Sequence, residues 1–148
     1  MKTEINFYQV DETISKSLAP LLIKILDENK KAFIFCNNAN QIKEIDASLW
    51  SYGRNKFIPH ITIFDQEFDL ERQPILISNK TENANKADYL IFLNEVEESF
   101  ISKFSRVFYF FEEGNLSTAK NIAKKLKIIA TKFNSYKKED GKWVKLGL

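Results

Sequence analysis

Residues 31–60 read KAFIFCNNANQIKEIDASLWSYGRNKFIPH. The first six, Lys31 to Cys36, are a short and nearly continuous apolar run, the pattern of a strand buried on both faces. Asn38 then offers a helix cap, with Gln41 placed three residues on for a capping box. Ala39, Ile42, Ile45 and Leu49 recur at helical spacing, Tyr52 lies near the end, and Gly53 is read as the stop. Phe57 to Phe64 follows as a strand with Pro59 near its start. A buried strand, a capped amphipathic helix and a second strand make a βαβ unit, and that unit predicts a parallel sheet.

Working outward, Ile5–Val10 alternates and is rich in strand formers. Ile14, Leu18, Leu21, Leu22, Ile25 and Leu26 form a helical stripe. Pro20 fits it only if the helix starts near Ser17, which leaves the ring in the first turn, where an amide proton has no partner. Pro74–Ile77, Tyr89–Leu93 and Arg106–Phe111 are further strands, and Val96, Phe100 and Phe104 predict a short helix over 95–103. Residues 65–72 and 79–86 are polar and read as loops. A long final helix is expected from Asn115 or Ser117, its stripe running from Leu116 through Leu126, Ile129 and Ala130 to Phe133. A tail containing Gly141, Lys142 and Trp143 ends the chain. The order is roughly βαβαββ(β)αβα: one α/β domain over 1–148 with a mainly parallel central sheet flanked by helices.

The chain has 148 residues, 44% hydrophobic and 14% aromatic, which is enough to bury a sizeable core. Its net charge of +2 by itself implies no polyanionic partner, but the charge is unevenly spread. From Gly114 onward there are nine lysines against two acids, a net of +7, which leaves −5 for the rest. The single cysteine, Cys36, excludes an intramolecular disulfide and fits a reducing compartment. No leader peptide and no membrane-length apolar run are read, so a cytoplasmic protein without membrane contact is expected.

An α/β sheet invites a nucleotide-binding interpretation. Neither of the first two βα turns, Val10–Ser15 and Cys36–Asn40, contains a glycine, and Asp11 and Glu12 would repel phosphate. The fold is therefore expected to be Rossmann-like without a nucleotide-binding motif, and no cofactor is expected. Cys36 and His60 are the minimum for a thiol nucleophile, although free cysteine is more often a small buried hydrophobe. Asp65, Glu67, Asp69 and Glu71 alternate and suggest a Mg²⁺ or Ca²⁺ loop, but lack the glycine and spacing of a calcium hand, and a solvated loop is the simpler account. The lysines of the final helix fit a surface helix docked on the sheet, a nucleic-acid surface, or a site for an acidic peptide ending in a hydrophobic residue. Trp50 is displaced from its helix stripe, so it either covers the core edge or anchors a partner, with Arg54, Lys56 and Phe57 close by.

Ile45-Asp46-Ala47-Ser48-Leu49-Trp50 followed by Phe57-Ile58-Pro59-His60 resembles the Leu-Asp-x-x-Leu-Trp…Phe-x-Pro-His pattern of the chi subunit family of bacterial DNA polymerase III. The Phe7-Tyr8 and Phe33–Cys36 strands, the strand at Pro74–Asn79 and the Trp-containing tail resemble the family as well. The resemblance implies a non-catalytic subunit that links the clamp-loader complex, through the psi subunit, to the acidic C-terminal tail of the single-stranded-DNA-binding protein. Contact with single-stranded DNA would be indirect. It further implies that Trp50 and the last-helix lysines Lys124, Lys127 and Lys132 form the tail site, and that Phe57 and Pro59 face psi. The family's last helix is rich in arginine and aromatics. Here the corresponding stretch is Leu126–Lys132, with lysine point charges in place of bidentate forks and Ala130 at the aromatic position.

Overall fold

The central strands are the apolar runs of the sequence. The computed structural model describes residues 3–52, 57–65 and 69–148. Strands β1 (Thr3–Val10), β2 (Ala32–Phe35), β3 (Ile61–Thr62), β4 (Ile75–Ser78), β5 (Tyr89–Phe92), β6 (Arg106–Glu112), β7 (Ala130–Glu139) and β8 (Lys142–Lys145) form one sheet in the order β3-β4-β2-β5-β6-β1-β7-β8. Every neighbouring pair is parallel except β7 and β8. β2, β4 and β5 are buried at all positions, as strands covered on both faces must be.

Helices α1 (Ile14–Ser17), α2 (Ala19–Asp27) and α3 (Ala39–Trp50) lie on one face, where Leu22, Ile25, Ile42 and Ile45 pack with Ile34, Ile91 and Phe108. Helices α4 (Glu98–Ile101) and α5 (Leu116–Leu126) lie on the other, where Phe100, Ala119, Ile122 and Leu126 pack with Phe7, Phe33, Leu90 and Tyr109. Each fully buried large side chain stabilises the fold by about 1.5–3 kcal/mol. Pro20 falls in the first turn of α2, as its chemistry requires. The Asn38 side chain accepts from the amides of Asn40 (2.7 Å) and Gln41 (3.4 Å), a cap of about 1 kcal/mol. The expected stop at Gly53 lies outside the described residues.

Two expectations are corrected. The strand expected over 57–64 pairs only at Ile61 and Thr62. Its first half is tied to α3 by the His60–Asp46 bond, and Asp65 accepts from the Thr62 amide at 2.8 Å, which turns the chain out of the sheet. The larger correction is at the C-terminus. The final helix ends at Leu126, and Ala130–Glu139 is strand β7, parallel to β1. Left-handed Asp140 (φ 49°) and Gly141 (φ 76°) then make a tight turn into β8. The physical reason is the free edge of β1: β6 fills one side, and without β7 the other would expose a row of unpaired backbone groups.

Candidate functional site

The corner at the end of α3 is built from Asp46, Trp50, Phe57 and His60. Asp46 and Trp50 are four residues apart on a helix and so share a face. His60 is buried, and its ring reaches two acceptors: Nε2 lies 2.8 Å from Asp46 Oδ1 and Nδ1 lies 2.7 Å from the Ile58 carbonyl oxygen. The imidazole therefore ties the 57–60 segment both to the helix and to itself. Trp50 lies against this anchor, 4.9 Å between ring centroids, and Phe57 lies against Trp50 at 5.6 Å. Both outer rings remain open to solvent, 59% for Trp50 and 70% for Phe57. Pro59, two residues after Phe57, is half-buried. Phe64, also exposed, extends the apolar character of this stretch and was not singled out from the sequence. Arg54 and Lys56 lie outside the described residues.

A second surface lies on the outer side of α5. Lys120, Lys124 and Lys127 border a groove of about 370 Å³ that is closed on its far side by Gly147 and Leu148. The Lys127 ammonium donates to the Leu148 carbonyl and sits 5.2 Å from the Phe133 ring centre. Lys125 is turned away and pairs with Glu95 at 3.1 Å. The groove thus offers cations beside the polar Ser117 and Asn121, with Ala123 and Leu148 as its apolar residues.

Trp50 and these lysines do not form one site. α3 and α5 pack on opposite faces, with the sheet between them. Lys132 is not on the last helix but on β7, where it alternates with Phe133; Phe133 packs toward the α5 side, so Lys132 points to the other. Of the expected tail-site residues, Lys124 and Lys127 come together, while Trp50 packs with Phe57 and His60 instead.

The other candidates have structural roles. Cys36 is buried, and burial pushes its thiol up to about 12. Both nitrogens of His60 are already engaged, so no thiol–imidazole pair is assembled. Asp65 caps a turn, Asp69 caps the short 3₁₀ turn Leu70–Arg72, and Glu71 pairs with Lys86 at 2.7 Å. The Lys86 hydrogen bond, more than its charge, holds the Glu71 carboxyl below its usual range. Glu67 lies outside the described residues. Among the described residues no cluster of three or more His, Cys, Asp or Glu side chains is placed to hold a metal, and no helix is long and apolar enough to cross a membrane.

The described residues thus present an apolar corner and a cationic groove. The family model "DNA polymerase III chi subunit, HolC" matches residues 1–128. The chain belongs to the DNA polymerase III chi subunit family. It is also 25% identical over 136 residues to "Probable DNA polymerase III subunit chi" of Rickettsia prowazekii (strain Madrid E), covering 92% of this chain and 80% of that one. Chi is an accessory subunit in DNA replication, not a catalytic one. The matched stretch contains the Trp50–His60 corner and the α5 lysines; Lys132 and the β7–β8 hairpin lie beyond it.

Proposed function

We propose that this chi-family protein is a replisome adaptor, working in the cytoplasm, that joins two partners through two separate surfaces. The carrying observation is that the aromatic corner and the lysine groove sit on opposite faces of one sheet. Two short peptides or two subunits can therefore bind at once without competing.

The groove on α5 suits an acidic tail ending in a hydrophobic residue, as the tail of single-stranded-DNA-binding protein does. Lys120, Lys124 and Lys127 would take the carboxylates, and Ala123 and Leu148 would be the apolar contacts of the terminal side chain. The corner suits the psi subunit, with Trp50, Phe57 and Pro59 as its apolar anchors. Through the α5 groove, contact with single-stranded DNA runs by way of the tail-bearing partner, and association with the clamp loader runs through psi.

The test is a peptide ending in Asp-Asp-x-Pro-Phe, titrated by calorimetry with NMR mapping. Binding that weakens with salt and shifts resonances of α5 is expected. Shifts confined to the Trp50 corner, or no heat at low salt, refute the assignment. A second reading, direct single-stranded nucleic-acid binding by the basic helix, was open from the sequence. It is separated by a gel shift with an oligonucleotide alone: a shift lost when Lys124 and Lys127 are reversed to glutamate supports the helix, and one that survives refutes it.

A further inference from the structure

The β7–β8 hairpin puts an aromatic and basic cleft on the sheet face opposite α5, away from both surfaces described above. The register aligns Phe110, Tyr8 and Tyr136 in one row across β6, β1 and β7. Their rings stack at 5.1 and 5.4 Å with planes 25° and 21° apart. Trp143 of β8 folds onto this row edge-to-face, 4.9 Å from Tyr8 at an interplanar angle of 69°, and Lys138 lies 4.8 Å from the tryptophan ring centre. Pro20 and Leu21 of α2 form the facing wall, and the enclosed volume is about 300 Å³. That is the lower end of the range of small-ligand sites. Trp143 stays 40% exposed, so the ring has an open surface to offer.

The charges around the cleft choose its occupant. Lys16 and Lys24 stand on the α2 side and Lys138 on the hairpin side, three cations around an aromatic slot. Asp11 and Glu12 stand at one end. These two carboxylates repel phosphate as they repel an acidic peptide, so a strand's phosphates are confined to the lysine end, while Asp11 and Glu12 can accept from the amino groups of nucleobases. We propose that this cleft binds single-stranded nucleic acid, with one unstacked base against Trp143 and the neighbouring phosphates on Lys16, Lys24 and Lys138. Aromatic stacking with flanking lysines is the general device for holding such strands. Because Asp11 and Glu12 accept hydrogen bonds, the cleft selects bases with an exocyclic amine over thymine. Tyr136, Lys138 and Trp143 lie beyond residue 128, outside the stretch matched by the family model.

The test uses the full chain in a Trp50→Phe background, which leaves Trp143 as the single tryptophan of the two in the sequence. Oligo-dC is expected to quench Trp143 fluorescence at low salt, oligo-dT to quench it more weakly, and added salt to weaken both. By fluorescence anisotropy, Trp143→Ala should weaken oligo-dC binding about tenfold or more. Lys138→Gln, which keeps the ring, should weaken it and flatten the salt dependence. Reversing Lys124 and Lys127 to glutamate, on the opposite face, should leave it unchanged. The proposal is overturned if oligo-dC produces no quench. It is equally overturned if binding survives both hairpin variants and is lost only in the α5 variants, or if an acidic Phe-ended peptide displaces the oligonucleotide from Trp143.

Discussion

Replacing Asp46 by alanine isolates the clamp beneath the aromatic corner. The substitution removes the carboxylate that holds His60 Nε2 at 2.8 Å, while the Nδ1 bond to Ile58 remains. Hydrogen bonds to charged groups contribute about 1.5–3 kcal/mol. The Asp46 side chain is 36% exposed and so retains some water, which places the loss at the lower end, about 1–2 kcal/mol. For a chain of this size each kcal/mol moves the melting temperature by roughly 2–4 °C, so Asp46→Ala should melt about 2–8 °C lower. Asp46→Asn keeps an acceptor oxygen and should recover part of that loss. The decisive readout is local. In a Trp143→Phe background the remaining tryptophan is Trp50, which rests on the His60 ring. Its emission should shift to the red in Asp46→Ala as the 57–60 segment loosens. An unchanged melting temperature together with an unchanged Trp50 emission would refute the idea that His60 holds this corner in place.

Three other outcomes are expected. Phe57→Ser should leave the melting temperature within about a degree of wild type, because the side chain is 70% exposed, yet reduce co-purification with the psi partner; an equal yield of complex excludes Phe57 from that interface. Cys36 should resist thiol reagents in the native state and label fully after denaturation. Its thiol ionises near 9.0 when unfolded but only at about 12 when folded, so this contribution to stability is whole below pH 9.0 and is lost as pH rises toward 12. Cys36→Ala should therefore show a shallower alkaline fall in melting temperature, and parallel curves would contradict that. Gly141→Ala should destabilise by about 1–2 kcal/mol, measured by urea unfolding. A Cβ there meets nothing within 4 Å, so the whole cost comes from the positive φ of 76°.

The fold class was legible because buried parallel strands write themselves as apolar runs: Phe33–Phe35, Ile75–Ile77 and Tyr89–Phe92 need no long-range information. The corner was legible in part, since its residues stood out but Trp50 was expected beside the lysines and apart from Phe57. Asp46, Trp50, Phe57 and His60, which carry the family resemblance, are the residues that touch one another. The hairpin was not, because Leu126, Ile129, Ala130 and Phe133 also fit a helical stripe, and β7 is too lysine-rich to alternate cleanly. Asp140-Gly141 was the signal that could have corrected it. The separation of Trp50 from the lysines was out of reach for a different reason. Right-handed crossovers put helices on opposite faces when the chain moves in opposite directions along the sheet. α2 and α3 follow moves toward β3, whereas α4 and α5 follow moves toward β8. That direction is set by strand order, which local periodicity does not encode.

Strand β1 sits between β6 and β7, and its tie to Phe104 through the Thr3 hydroxyl spans 101 positions. Of the strands of this sheet, β1 is made first and both of its neighbours are made late. Until residue 139 has emerged, the sheet has a vacancy on one side of its earliest strand. A chain halted near residue 128 would carry Phe7 and Tyr8 on a bare edge, a template for pairing with other copies. The C-terminal hairpin is thus a late-arriving latch, and truncations that spare every interaction residue of the Trp50 corner and the α5 helix would still be expected to fail in the cell through aggregation.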